Sequence, residues 1–145
     1  MGQQQLLLLV LATVIVGLAT VAGIQAFDEN QSQATQDALV QRGTNIAVDL
    51  KAEFNKPPEL GGGYNGASSP SKALARMGYE NGGDDTVPVK GAAGSSPECR
   101  LGIRDGTPSM PEAIIKCTSS EAPQDVTVTL NGNGNGEIST SFSDN

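Results

Sequence analysis

Cys99 and Cys117 are the chain's only cysteines, and with no histidine anywhere they carry the strongest chemistry it has to offer. Two thiols can bond to each other, hold a metal or cycle as a redox pair. A metal needs further ligands and a redox pair favours CxxC spacing, and neither is present. In an oxidising compartment such a pair reads as a disulfide. Its short loop would contribute about 3 kcal/mol on the chain-entropy model. Without histidine the commonest general base and transition-metal ligand are missing, so no Ser-His-Asp or Cys-His arrangement can be assembled. The chain is not expected to be an enzyme, and no metal or cofactor is called for. Asp84-Asp85 lacks the alternating ligand spacing of a calcium loop and reads as a solvated turn. The Asn-Gly run from Asn131 to Gly136 lacks the aspartates of calcium-binding glycine repeats. Asn30-Gln31-Ser32 matches the N-glycosylation sequon, but on a helix near a packed core it would be awkward to modify.

Charge and composition narrow the partners. Net charge is −7 over 145 residues, and the nine Lys and Arg are scattered singly. No basic stripe is available to displace counterions from a phosphate backbone, so nucleic acid is not an expected partner. Apolar residues make up 37% of the chain, below the roughly 45–50% of ordinary soluble domains. They are also unevenly spread. From Leu6 to Ile24 there is no charge, and only Thr13 and Thr20 carry a polar side chain. A conventional cytosolic enzyme does not fit this distribution.

Three regions must position whatever this chain does. Residues 1–56 contain no proline, so nothing forces a break. The spacing predicts one helix from Gln3 to Asn55, about 80 Å long at the standard rise. Its first half, 3–27, is apolar all round from Leu6, as a membrane-spanning or deeply buried helix must be. Its second half, 28–56, is amphipathic, with Leu39, Gly43, Ile46, Ala47, Leu50 and Phe54 on one stripe. Asp49, Glu53, Lys51 and Lys56 lie off it as solvated charges, and Pro57-Pro58 ends the helix. Residues 57–98 are turn-rich, at Gly61-Gly62-Gly63, Asn65-Gly66, Asn81-Gly82-Gly83 and Gly94-Ser95-Ser96-Pro97. Within them Ser69-Pro70 opens a capped two-turn helix that runs to Met77, with Gly78 behind. From Cys99 short strands take over. Cys99, Leu101 and Ile103 alternate with polar or small residues up to a turn at Asp105-Gly106, and Ala113 to Cys117 forms a second strand. Val126, Val128 and Leu130 then pair with Ile138, Thr140 and Phe142 across the Asn-Gly connection as a hairpin. Three or four such strands cannot hide their apolar face alone. The amphipathic half of the long helix is the obvious cover, giving an α+β fold in which a small antiparallel C-terminal sheet with one disulfide packs on a long N-terminal helix.

A membrane-length helix fused without interruption to an amphipathic one, then a small sheet and a disulfide loop, resembles the type IV pilin and pseudopilin family. Met1-Gly2-Gln3 looks like the prepilin-peptidase junction, with cleavage after Gly2 leaving Gln3 as the new terminus. The resemblance covers the architecture of the whole chain, but the junction is its only motif. It implies a division into 1–2 as leader, 3–27 as transmembrane and assembly helix, 28–56 as its amphipathic continuation, and 57–145 as the outer domain. It also implies a homo-oligomeric helical filament, with prepilin peptidase, the pilus assembly machinery and, before assembly, the cytoplasmic membrane as partners. The precursor would sit in that membrane and the product on the cell surface. Two departures stand out. Leu7 falls where most bacterial members carry an acid that pairs with a neighbour's terminal amine, and the leader lacks the usual Lys or Arg. Archaeal adhesion pilins similarly lack the acid and often show Gln after the cut.

The residues themselves support assembly. Leu6, Leu7, Leu11, Val14, Leu18 and Ile24 give an apolar surface as content among copies of itself as in lipid. Gly17 and Gly23, with Ala19, permit close helix approach. Other readings of the same run remain. A Sec signal peptide cut after Ala26 would have an overlong apolar core and no basic flank, while a plain single-pass anchor needs only about 20 apolar residues. Either would make the chain a secreted or membrane-anchored extracellular binding module. The family's roles in motility, adhesion, secretion, DNA uptake and conduction share one scaffold. With two tyrosines and three phenylalanines, an aromatic conduction path has little material.

Overall fold

The computed structural model describes residues 2–60, 69–79, 85–107, 110–132 and 136–144. One helix, α1 (Gly2–Asn55), runs without a break through both the apolar and the amphipathic segment. A 3-10 turn, Pro58–Leu60, begins at the second of the two prolines. Next come α2 (Pro70–Arg76) and five strands: β1 (Thr86–Pro88), β2 (Glu98–Thr107), β3 (Met110–Thr118), β4 (Gln124–Leu130) and β5 (Ile138–Asp144). The strands form one antiparallel meander in sequence order. This is the α+β architecture expected, with one strand more than the alternation pattern predicted.

The core lies where the C-terminal half of α1 crosses the sheet. Leu39, Gly43, Ile46, Ala47, Leu50 and Phe54 are all buried, as the helical spacing required. They meet Leu101 of β2, Ala113 and Ile115 of β3, and Val126, Val128 and Leu130 of β4, which are buried in turn. Those positions alternate along each strand, so one face of the sheet is apolar and covered. Each fully buried Leu, Ile or Val contributes about 1.5–3 kcal/mol relative to exposure. Gly43 is required by contact, not by backbone angle. A Cβ there would stand 2.9 Å from Val128 Cγ2 and 3.1 Å from Cys117 Sγ.

Four expectations need correcting. Asp105-Gly106 does not start a turn: both residues lie inside β2, which continues to Thr107 with an irregularity in register after Arg104. A bulge absorbs the turn-prone pair without ending the strand. Glu53 is not a solvated charge but is buried, with Lys56 Nζ at 2.7 Å and Arg76 at 3.6 Å. A buried carboxylate needs such partners, and the pairing with Arg76 ties the end of α1 to α2. Ser69 sits at the N-cap of α2 without a side-chain cap bond, its hydroxyl lying 3.4 Å from that of Ser71. Finally, β1 emerges from the segment read as turns. Its Val87 is buried opposite Cys99, but three residues ending in proline are too few to show a period.

Loop residues hold the far end of the core. Thr35 Oγ1 accepts the Ala93 N–H at 3.1 Å and donates to the Gln31 carbonyl, while Ser119 donates to the Ala93 carbonyl. Gly94 sits at φ +108° against Ser119 and Ser120, a conformation and a space that exclude any other residue. The turns expected at Gly61-Gly62-Gly63, Asn65-Gly66 and Asn81-Gly82-Gly83 lie outside the described residues, as do Met1, Asp84 and the hairpin tip at 133–135. The strands that flank that tip pair as predicted, Leu130 opposite Ile138 and Val126 opposite Phe142.

Candidate assembly and membrane-spanning surface

Only the C-terminal part of α1 is used by its own domain. Every described residue from Gly2 to Gln31 is exposed. The large apolar side chains among them include Leu6, Leu7, Val10, Leu11, Val14, Leu18, Ile24 and Phe27, and their exposure runs from 51% at Val10 to 69% at Phe27. Leu6 to Leu9 occupy four successive positions, so they cover every side of the cylinder. By length and composition this segment is able to cross a membrane, a test that a signal sequence also passes. Thr13 and Thr20 turn their hydroxyls inward onto the carbonyls of Val10 and Gly17, each at 2.8 Å. The two polar side chains between Leu6 and Ile24 are therefore satisfied within the helix, as an apolar solvent demands.

The expected assembly residues all lie on this projecting rod. Gly2 and Gln3 lie in its first turn, and among the described residues a Cβ at Gly17 or Gly23 would meet nothing within 4 Å. Unlike Gly43, these two glycines serve no packing inside the domain. Burying a Val, Leu, Ile or Phe of this rod would be worth about 1.5–3 kcal/mol per side chain, which summed over the segment is tens of kcal/mol before ordering costs. Asn30, the sequon asparagine, is exposed with its amide donating to the Ala26 carbonyl at 2.7 Å.

Cys99 and Cys117 are bonded. They face each other directly across β2 and β3, fully buried beneath Gly43 of α1. The bond therefore joins neighbouring strands in the core under the helix.

One cluster escaped the sequence reading. Tyr79, just beyond α2, donates its hydroxyl to Asp49 at 2.5 Å, and the Arg42 guanidinium lies 4.8 Å from the centre of its ring. The contact links α2 to the amphipathic half of α1 through a charge-assisted hydrogen bond and a cation–π contact. Tyr79 follows Gly78 in a turn-rich stretch, and nothing local signals a partner thirty residues back. Burial pushes its phenol up from 10.0 to about 12, reinforced by the hydrogen bond to Asp49 and that carboxylate's charge and opposed by Arg42. Because the raised value favours the neutral phenol in the fold, this stabilisation is complete below pH 10 and is lost as pH rises through 12. Thermal unfolding midpoints should fall over that window. Tyr79→Phe should lower the midpoint at neutral pH and remove the later of the two phenolate transitions in an ultraviolet titration; two phenolates titrating together near 10 in the wild type would contradict the assignment.

The chain matches no protein-family model, and neither the curated proteins nor the solved structures contain a match to it. A long N-terminal apolar helix carrying a small disulfide-bonded sheet is compatible with pilin-like architecture.

Proposed function

We propose that this chain is a structural subunit of an extracellular type IV pilus-like filament. The observation that carries the reading is the unbroken course of α1 from an exposed apolar rod into the core of the C-terminal domain. A subunit polymerising through that rod exchanges lipid contact for contact with other copies and leaves the acidic domain outside. The precursor resides in the cytoplasmic membrane until prepilin peptidase cuts between Gly2 and Gln3 and the assembly machinery draws the subunit out. With Leu7 at the position of the usual acid, assembly proceeds without the pairing of that acid to a terminal amine. Apolar packing carries it instead.

Continuity of the helix also bears on the competing reading. Cleavage after Ala26 would cut α1 near its middle, and a simple anchor does not require the span to be rigidly fused to a domain. Mass spectrometry of the mature chain separates the three. The filament reading expects Gln3 at the N-terminus. Phe27 there would establish a signal peptide and overturn it, and Met1 retained on a cell-associated chain without fibres would establish an anchored module.

A further inference from the structure

Arg42 and Lys90 line one cleft of about 390 Å³, together with Gly78, Tyr79 and Pro88. Arg42 Nε is buried and has no hydrogen-bond partner among the described residues. Neither cation takes part in an ion pair among those residues. Among the described residues these two positive charges have no paired carboxylate, although the chain carries sixteen acids against nine bases. A buried guanidinium N–H without an acceptor costs free energy that a carboxylate would recover. Tyr79 prepares the site: Asp49 takes up its hydroxyl, and its ring holds the guanidinium plane by a cation–π contact.

Carboxylates that could fill it are on α1 itself, but within one chain Glu29 and Asp37 lie towards the far side of the helix, and Asp28, only about 40° round from Arg42, is about 21 Å away along the axis. Asp28, Glu29 and Asp37 are exposed and form no ion pair among the described residues, and no base precedes Arg42 on α1. At about 100° per residue, Glu29 and Asp37 lie about 140° round the helix from Arg42 in opposite senses, about 80° apart, so both fall on the flank away from it. Two parallel copies set side by side therefore present the cationic flank of one to the acidic flank of the other. Such a contact joins unlike surfaces and repeats without closing, which is the geometry of a filament and not of a symmetric dimer. Glu29 lies about 20 Å N-terminal to Arg42 and Asp37 about 8 Å, whereas the apolar run from Leu6 to Ile24 is about 28 Å long. Either stagger leaves the apolar runs overlapping.

We propose that the Arg42–Lys90 cleft is an intersubunit socket for the acidic band, Glu29 and Asp37, of α1 in a second copy of this chain. The inference rests on the filament reading and adds its register: charge pairing sets the axial offset that apolar packing alone leaves free to slide. Reversal of charge tests it. In cells making the full-length chain, Arg42→Glu should reduce surface filaments at least tenfold. Adding Glu29→Lys and Asp37→Lys to Arg42→Glu should restore them to within about threefold of wild type. Filaments at wild-type number in Arg42→Glu would overturn the socket while leaving the filament reading intact. A loss that the two lysines do not repair would overturn it as well, by attributing the defect to the Arg42 site alone. Absence of filaments from the wild type would instead strike the filament reading itself.

Discussion

Leu11→Arg should abolish filaments while leaving the C-terminal domain folded. Leu11 is 52% exposed and sits in the middle of the apolar rod, remote from the core formed by the second half of α1. Its replacement therefore removes no contact within the domain. In the bilayer an arginine near the centre of a span costs about 2.5–3.5 kcal/mol on insertion scales. In a bundle of such helices the same charge would be buried without a partner, a penalty paid in every subunit and several kcal/mol each. Leu11→Ala, which only trims contact area, should thin or shorten the fibres without removing them. An intact Cys99–Cys117 bond, read as unchanged mobility on non-reducing gels, would show that the variant's domain still folds. Fibres of wild-type number and length in Leu11→Arg would mean that this helix is not their core.

The second large effect concerns a glycine inside the domain. Gly43→Val should destabilise the fold by about 1–3 kcal/mol or more, the range for overpacking a filled interior. Even the first added carbon stands 2.9 Å from Val128 Cγ2 and 3.1 Å from Cys117 Sγ. Neither atom can retreat: Val128 is fully buried and branched, and Cys117 is held by its disulfide. Glycine in a helix interior ordinarily costs up to about 1 kcal/mol relative to alanine, so helix propensity alone would predict the opposite sign. Gly17→Val is the control. With open space around Gly17 among the described residues, it should leave the thermal midpoint of the detergent-solubilised protein unchanged and act only on assembly. Equal midpoints for Gly43→Val and the wild type would mean that α1 does not press on β3 and β4 as described.

Legibility in the sequence followed the range of the interactions. The course of α1, its buried stripe from Leu39 to Phe54, and the β4–β5 hairpin all rest on short periods within one segment, and these are where residue spacing speaks directly. The two cysteines gave their bond by chemistry and compartment, but not its location between paired strands under Gly43. What escaped was non-local. Glu53 looked like a surface charge because Arg76, which helps to neutralise it, arrives on a different helix. The Tyr79 contact with Arg42 and Asp49 spans the loop between α1 and α2, and the Arg42–Lys90 cleft adds the approach to β2. β1 was too short to show alternation, and Asp105-Gly106 carried turn chemistry into a strand that bulges instead of ending.

The same contrast explains the uneven hydrophobicity of the chain. The buried residues of α1 from Thr35 to Phe54 complete a core with the sheet, whereas those from Gly2 to Gln31 are all exposed. Electron cryomicroscopy of fibres sheared from cells making this protein is the decisive measurement of whether these exposed residues form the assembly surface. The account predicts a core of tightly packed continuous helices running from Gln3 into the outer domain, with Arg42 of one subunit level with Glu29 or Asp37 of another. Fibres built on other contacts, with residues 6–24 absent from the subunit or outside the core, would contradict it.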